Sequence, residues 1–404
     1  MSGGVGAILL VSLIKVAVLM FFVLTAVAYL VWFERKLAAH LQGRWGPYRV
    51  GPHGMLQPLA DGAKFLLKED VTPAGVDRFV YYIAPLVTMT LAISGIAMVP
   101  FGPAEIRIFG VTTPLVIANI NVGLLAIFAI TSVGVYGVAL AGWSSNSKYS
   151  LLGGLRSSAQ MVSYELSLTL SVVGVMLLAG SFNMSELITR QGGFSWGFLP
   201  QWNLFSPPFP QVLGFVCYFI SAIAETNRAP FDLAEAESEI VAGYHTEYSS
   251  FKFAMFFLGE YASMITVACL ATILFLGGWL SPFPQTANLY WTHYIPAAVL
   301  AIGGMALIVD GVYHKGLARV QLPVLGLVLF ALSFLCARPG FIEGIQGPFW
   351  FLGKILVVLF VYVWVRWTLP RFRYDQLMRF GWKFLFPLAL LNVVLTSLAV
   401  VMRK

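Results

Sequence analysis

The sequence predicts an all-α polytopic membrane protein, a single integral membrane domain over 1–404 with about ten transmembrane helices. Three observations carry that expectation. Of 404 residues, 59% are hydrophobic and only 11% charged, with a mean hydropathy of +0.82. Soluble domains hold about 25% charged residues, so a soluble fold is excluded. Several apolar runs reach the roughly 20 residues that cross a bilayer as a helix. Finally, the basic residues fall unevenly among the connecting segments.

The expected spans are 5–33, 79–100, 113–141, 160–180, 211–226, 252–278, 295–313, 319–337, 349–369 and 383–402. The first runs through Val16–Phe33 into "ERK" without a small-residue cleavage pattern, which predicts a retained span and not a signal peptide. In the following segment, "MLQPLADGAKFLLKEDV", Leu56, Leu59, Ala60, Ala63 and Leu67 recur at helical spacing. Asp61, Lys64 and Lys68 fall on another stripe, so this is an amphipathic helix lying in the interface. The stretch 181–211, rich in Gly, Pro and aromatics, reads as a folded outer loop with no chemistry. No internal repeat appears, which gives an inverted-repeat transporter no support.

Orientation follows from the charges. Let the segments after the first, third, fifth, seventh and ninth spans face the cytoplasm. They then hold all 25 basic residues except Lys15, Arg107, Arg190, Arg338, Lys354, Arg403 and Lys404. This bias places both termini outside and the loop 227–251 in the cytoplasm.

Cys217, Cys269 and Cys336 sit inside apolar segments with no CxxC spacing. That argues against disulfides, zinc and protein-held Fe–S clusters. The five histidines, His40, His53, His245, His293 and His314, lie in loops or at span ends, whereas haem between helices needs facing pairs within spans. The chain is therefore expected to bind no flavin, haem, Fe–S cluster or metal of its own.

The acidic residues carry the chemistry. Glu225–Glu247, "ETNRAPFDLAEAESEIVAGYHTE", holds six of the chain's 18 acids and one base, Arg228. After Pro230, Asp232, Glu235 and Glu239 follow helical spacing, Phe231, Ala234, Ser238 and Val241 make a less polar face, and Gly243 is a stop. Two readings stand. Either this is a solvated helix kept soluble by its charge, or a cluster whose mutual repulsion lets it hold and pass protons near neutrality.

Glu165, Glu225 and Glu260 lie in or against spans; Glu260 is eight residues past Lys252, about 12 Å along the helix. Each should face the bundle interior, tied to an Arg or set on a water-connected proton path. Glu34 and Asp310 lie at span ends, where solvation is expected. Arg35, Arg44, Arg156, Arg228, Arg371 and Arg373 all fall on the cytoplasmic side, as headgroup contacts singly or as the wall of a polar chamber together.

Four stretches read as one family: "ERKLAAHLQGRWGPYRVGPHGMLQPLADGAKFLLKED", "SKYSLLGGLRSSAQMVSYELS", "AETNRAPFDLAEAESEIVAGYHTEYSSFKFAMFFLGEY" and "WVRWTLPRFRYDQLMRFGWK". They resemble the H subunit of bacterial NADH:quinone oxidoreductase, respiratory complex I, whose mitochondrial counterpart is subunit 1. The resemblance implies a membrane-arm subunit that closes a quinone chamber with peripheral-arm subunits, one of which carries the terminal Fe–S cluster. The substrate would be a quinone, ubiquinone or menaquinone. The partners would be other membrane-arm subunits, those peripheral subunits and lipid, with no nucleic acid. The location would be a bacterial inner membrane. Arg35, Asp61, Lys64, Arg228, Asp232, Glu235, Glu237, Glu239 and Tyr261 would line or flank the chamber, with Arg44, Arg156 and Arg371 behind them. Glu165, Glu225 and Glu260 would begin a line of carboxylates toward proton-pumping subunits. Two departures are visible. Ala234 stands where Pro is frequent, and residues 281–348 add an apolar hairpin to the family's usual eight spans. The homologous membrane subunit of an ion-translocating NiFe hydrogenase, and a stand-alone proton-coupled transporter, are the alternative readings.

Overall fold

The structure is a computed structural model and describes residues 5–103, 105–108, 111–195, 199–232, 241–283, 287–314 and 318–403. Its helices are α1 (Val5–Leu41), α2 (Gln57–Leu67), α3 (Arg78–Ile96), α4 (Gly123–Ser144), α5 (Lys148–Ala179), α6 (Met184–Thr189) and α7 (Val212–Glu225). They continue with α8 (Ser250–Phe275), α9 (Ile295–Tyr313), α10 (Ala318–Cys336), α11 (Pro339–Thr368), α12 (Tyr374–Phe380) and α13 (Phe386–Arg403). A π-helical turn over Gly381–Leu385 joins the last two into one continuous rod. The strands among the described residues are two small antiparallel pairs, Glu105–Ile108 with Val111–Pro114 and Phe194–Ser195 with Leu199–Pro200.

Nine helices of the described residues are long and apolar enough to cross a membrane. The remaining expected span, the fifth at 211–226, corresponds to α7, whose 14 residues reach only about 21 Å, short of a hydrocarbon layer of about 30 Å. Helix α5 starts at Lys148 instead of 160, because Ser150, Gly153, Gly154 and Ser157 are buried against neighbours. Packing of small residues there overrides their weak helix propensity. The helix expected after Pro230 falls on 233–240, outside the described residues.

Helix α8 is the hub. Of its most apolar window, 78% is buried within the protein, against 11% for α1, and it packs on α1, α2, α3, α7 and α11. Its C-terminal carbonyls are met by a charge: the Lys354 ammonium on α11 donates to the carbonyls of Leu276 (2.6 Å), Gly278 (2.9 Å) and Leu280 (2.7 Å), and sits over the Trp202 ring. The segment 181–211 folds onto the same end, with Gln191 and Asn203 donating to the carbonyls of Ile273 and Leu274. Helices α9 and α10 form a hairpin at the bundle's flank, with Ile302, Val312, Leu327 and Phe334 exposed as lipid contact requires. They approach glycine to glycine: a Cβ on Gly304 would come within 2.7 Å of the Gly326 carbonyl oxygen. The three cysteines are free and buried.

Candidate functional site

Helix α1 carries Val23, Val27 and Leu30 inward at helical spacing, and the next residue of that face is Glu34. Its carboxylate is 4% exposed, ion-paired with Arg366 of α11, and accepts a 2.8 Å hydrogen bond from the Tyr261 hydroxyl of α8. The expectation that Glu34 is solvated is therefore overturned: α1 continues as helix to Leu41, so the residue is not at a frayed end.

Tyr261 is covered on its other side by the Arg228 guanidinium, 4.3 Å from the ring centre. Arg228 leaves the turn that ends α7, where Asn227 takes a left-handed φ of 49° and the Arg228 amide donates back to the Ile223 carbonyl. Helix α5 braces this turn. Gln160 donates to the carbonyls of Ala224 and Phe231, both at 2.8 Å, and Asn227 donates to Ser157. The Arg228 side chain, 3% exposed, lies 3.1 Å from the Glu260 carboxylate, 8% exposed. Glu260 also accepts from the Tyr244 hydroxyl at 3.1 Å. Arg366, Glu34, Tyr261, Arg228, Glu260 and Tyr244 thus form one buried chain of alternating charge, bridged by a tyrosine hydroxyl and a tyrosine face.

Two loop groups adjoin it. Burial pushes the Asp232 carboxyl above its ordinary range, with Glu260 adding to the push and Arg371, Arg366 and Arg228 opposing it. Arg371 holds Asp232 at 3.2 Å. His245 packs against Tyr244, and burial drives its imidazole down to about 4; Arg228 adds to that and Glu260 opposes it. It is a neutral side chain at physiological pH.

The remaining expected residues fall into separate groups. Arg35 and Asp61 pair at 2.8 Å on the more open side of α1 and α2, with Gln57 holding the second Asp61 oxygen. Lys64 is exposed one turn beyond. The apolar edge of α2 stays uncovered, with Leu67 87% exposed, as an interfacial or partner-facing helix requires. Glu165 on α5 accepts from Ser132, and Glu225 closes the neighbouring α7. Arg156 stacks on Tyr374, and Arg44 donates to Gln42. Glu235, Glu237 and Glu239 lie outside the described residues.

Glu34, Arg366, Tyr244 and His245 join the site without being among its expected residues. The buried face of α1 is a usable signal for the first; the others are brought in by tertiary packing alone. Asp310, expected to be solvated, keeps a side chain 38% exposed and is hydrogen-bonded to His53.

A family model described as NADH dehydrogenase matches residues 14–397. The chain is 49% identical over 391 residues to an NADH-quinone oxidoreductase H subunit of Solibacter usitatus, covering 96% of each protein. It is 49% identical over 411 residues to an H subunit of the same enzyme from Koribacter versatilis, covering 99% of this chain and all of the relative. It is 44% identical to the H subunit from Thermomicrobium roseum, over 96% of both.

Proposed function

This chain belongs to the family of NADH-quinone oxidoreductase H subunits, and from that premise we propose that it helps form a quinone chamber and couples quinone reduction to proton translocation. The observation that carries the reading is the buried chain from Arg366 to Tyr244. Reducing a quinone to its quinol takes two electrons and two protons. The electrons come from a cluster carried by a peripheral partner. The protons, or the charge change they cause, fall to the acids of this chain.

Arg35, Asp61 and Lys64 would flank the chamber on one side and Asp232 on another, and the resemblance assigns Glu235, Glu237 and Glu239 to the same chamber. Alternating charge makes the chain responsive. Protonating Glu260 frees part of the Arg228 charge, which lies over Tyr261 and so acts on its hydrogen bond to Glu34. Glu225 and Glu165 offer a second carboxylate pair through which the disturbance moves toward partner subunits. The chain would sit in a bacterial inner membrane with loop 227–251 cytoplasmic and both termini outside, beside other membrane-arm subunits, lipid and the peripheral subunits that close the site. Residues 281–348 would be an addition to the family's eight-span core.

Asp61→Asn and Arg35→Ala should lower quinone-dependent turnover while NADH oxidation by an artificial acceptor persists. Unchanged quinone turnover in both variants would reject the chamber. Glu260→Gln should uncouple proton export from turnover; an assembled complex that pumps fully would reject that role. Copurification with a NADH-binding flavoprotein separates this reading from membership of a hydrogenase complex.

A further inference from the structure

The loop between α1 and α2 meets the α9–α10 hairpin in a cluster that the chain of acids and arginines does not use. His53, in a 3-10 turn over Pro52–Gly54, places Nε2 2.5 Å from one carboxylate oxygen of Asp310 on α9. One turn further along, His314 brings Nδ1 to 3.6 Å from the other oxygen and 3.0 Å from the Asp310 backbone carbonyl. The two imidazole rings are 4.9 Å apart, edge to face. Ligand atoms of all three residues lie within 4.8 Å of one another. Donors around a tetrahedral zinc stand about 3.4 Å apart, from bond lengths near 2.1 Å. The side chains of His53, Asp310 and His314 are each partly exposed, at 29%, 38% and 19%, and a bound ion would draw their ligand atoms together.

Two more features suit a metal. The other ring nitrogen of His314, Nε2, is hydrogen-bonded to the Tyr48 hydroxyl at 2.7 Å, the kind of outer contact that fixes the orientation of a ligating imidazole. His53 holds a left-handed φ of 51°, a strained backbone that persists where its surroundings demand it. Two nitrogens and one carboxylate oxygen, with one side open to solvent, suit zinc and its borderline neighbours and not magnesium or calcium.

We propose that His53, Asp310 and His314 form a binding site for a divalent transition-metal ion of the zinc class, with Tyr48 as its outer support. The ion ties the α9–α10 hairpin to the loop that leads into α2. Tyr48 also lines a cavity of about 650 Å³ with Trp45, Arg49 and Gln57, and Gln57 holds Asp61. The tie therefore reaches the rim of the candidate site without belonging to it, and it stands whether or not the quinone reading does.

The test uses the purified complex containing this chain, stripped with a chelator and reloaded with Zn2+ alone. Wild type should retain one zinc per complex more than His53→Ala, Asp310→Asn or His314→Ala, and Tyr48→Phe should weaken its binding by about 10- to 100-fold. X-ray absorption at the zinc edge of reloaded wild type should show nitrogen and oxygen neighbours with the scattering of two imidazoles. That spectrum decides the matter even if a variant fails to assemble. Equal zinc content in wild type and variants, or a zinc shell with sulfur or without imidazole, would overturn the proposal.

Discussion

Arg228→Met is the most informative perturbation of the buried chain, because it removes a charge while keeping an apolar side chain of similar length. The guanidinium is 3% exposed and sits 3.1 Å from a carboxylate that is itself 8% exposed. Taking away one member of such a pair strands the other in a low-dielectric site, at a cost of about 3–5 kcal/mol. Loss of the Tyr261 ring contact adds about 0.5–2 kcal/mol. Glu260→Gln made in the same background removes the stranded charge, so the double variant should be more stable than Arg228→Met alone. The coupling energy should be about 2–3 kcal/mol, read from the four corners of a double-mutant cycle. Unfolding of the full chain in mixed micelles, followed by tryptophan fluorescence, supplies the stabilities. A coupling below about 0.5 kcal/mol, the error of additivity, would mean that the two residues do not act as a pair and would refute the reasoning.

Other perturbations test the frame around that pair. His245 binds its proton only near pH 4 in the folded chain and near 6.5 when unfolded, so its contribution is complete above pH 6.5 and is lost as pH falls toward 4. The loss is about 3 kcal/mol, and unfolding of His245→Gln measured over that window should show a flatter pH profile. Lys354→Met strips three carbonyls of their donor, at about 1–3 kcal/mol for each buried acceptor left unmet. Its thermal midpoint should fall, with Lys354→Arg milder. Gly304→Val forces side-chain atoms onto the Gly326 carbonyl, costing about 1–3 kcal/mol, and should make the α9–α10 hairpin more sensitive to protease.

Much of this was legible in the chain because lipid imposes a simple rule on spans. Apolar runs of membrane length announced nine of the helices, and Gly and Pro clusters announced the folded connection 181–211. Boundaries were harder. The start of α5 reads "SLLGGLRSSAQ", a run that looks like a loop until Ser150 and Gly153 are seen to be buried. Polar positions were legible by type but not by partner. Glu260 and Arg228 stood out as a costly acid and a lone base, yet nothing local links them to Glu34, 226 positions before Glu260. His53 and Asp310 are 257 positions apart and meet only through the packing of the flanking hairpin.

The brevity of α7 has a consequence for how the protein is made. Fourteen residues, preceded by Gln211 and ending in Glu225, are too few to span the lipid by themselves. Its berth is instead built of protein: the Tyr218 hydroxyl donates to the Val267 carbonyl of α8, and Tyr362 of α11 reaches the Ala222 carbonyl. Helix α5, translated earlier, already gives this segment its most extensive contact and braces the turn bearing Arg228, and the two later helices complete the berth.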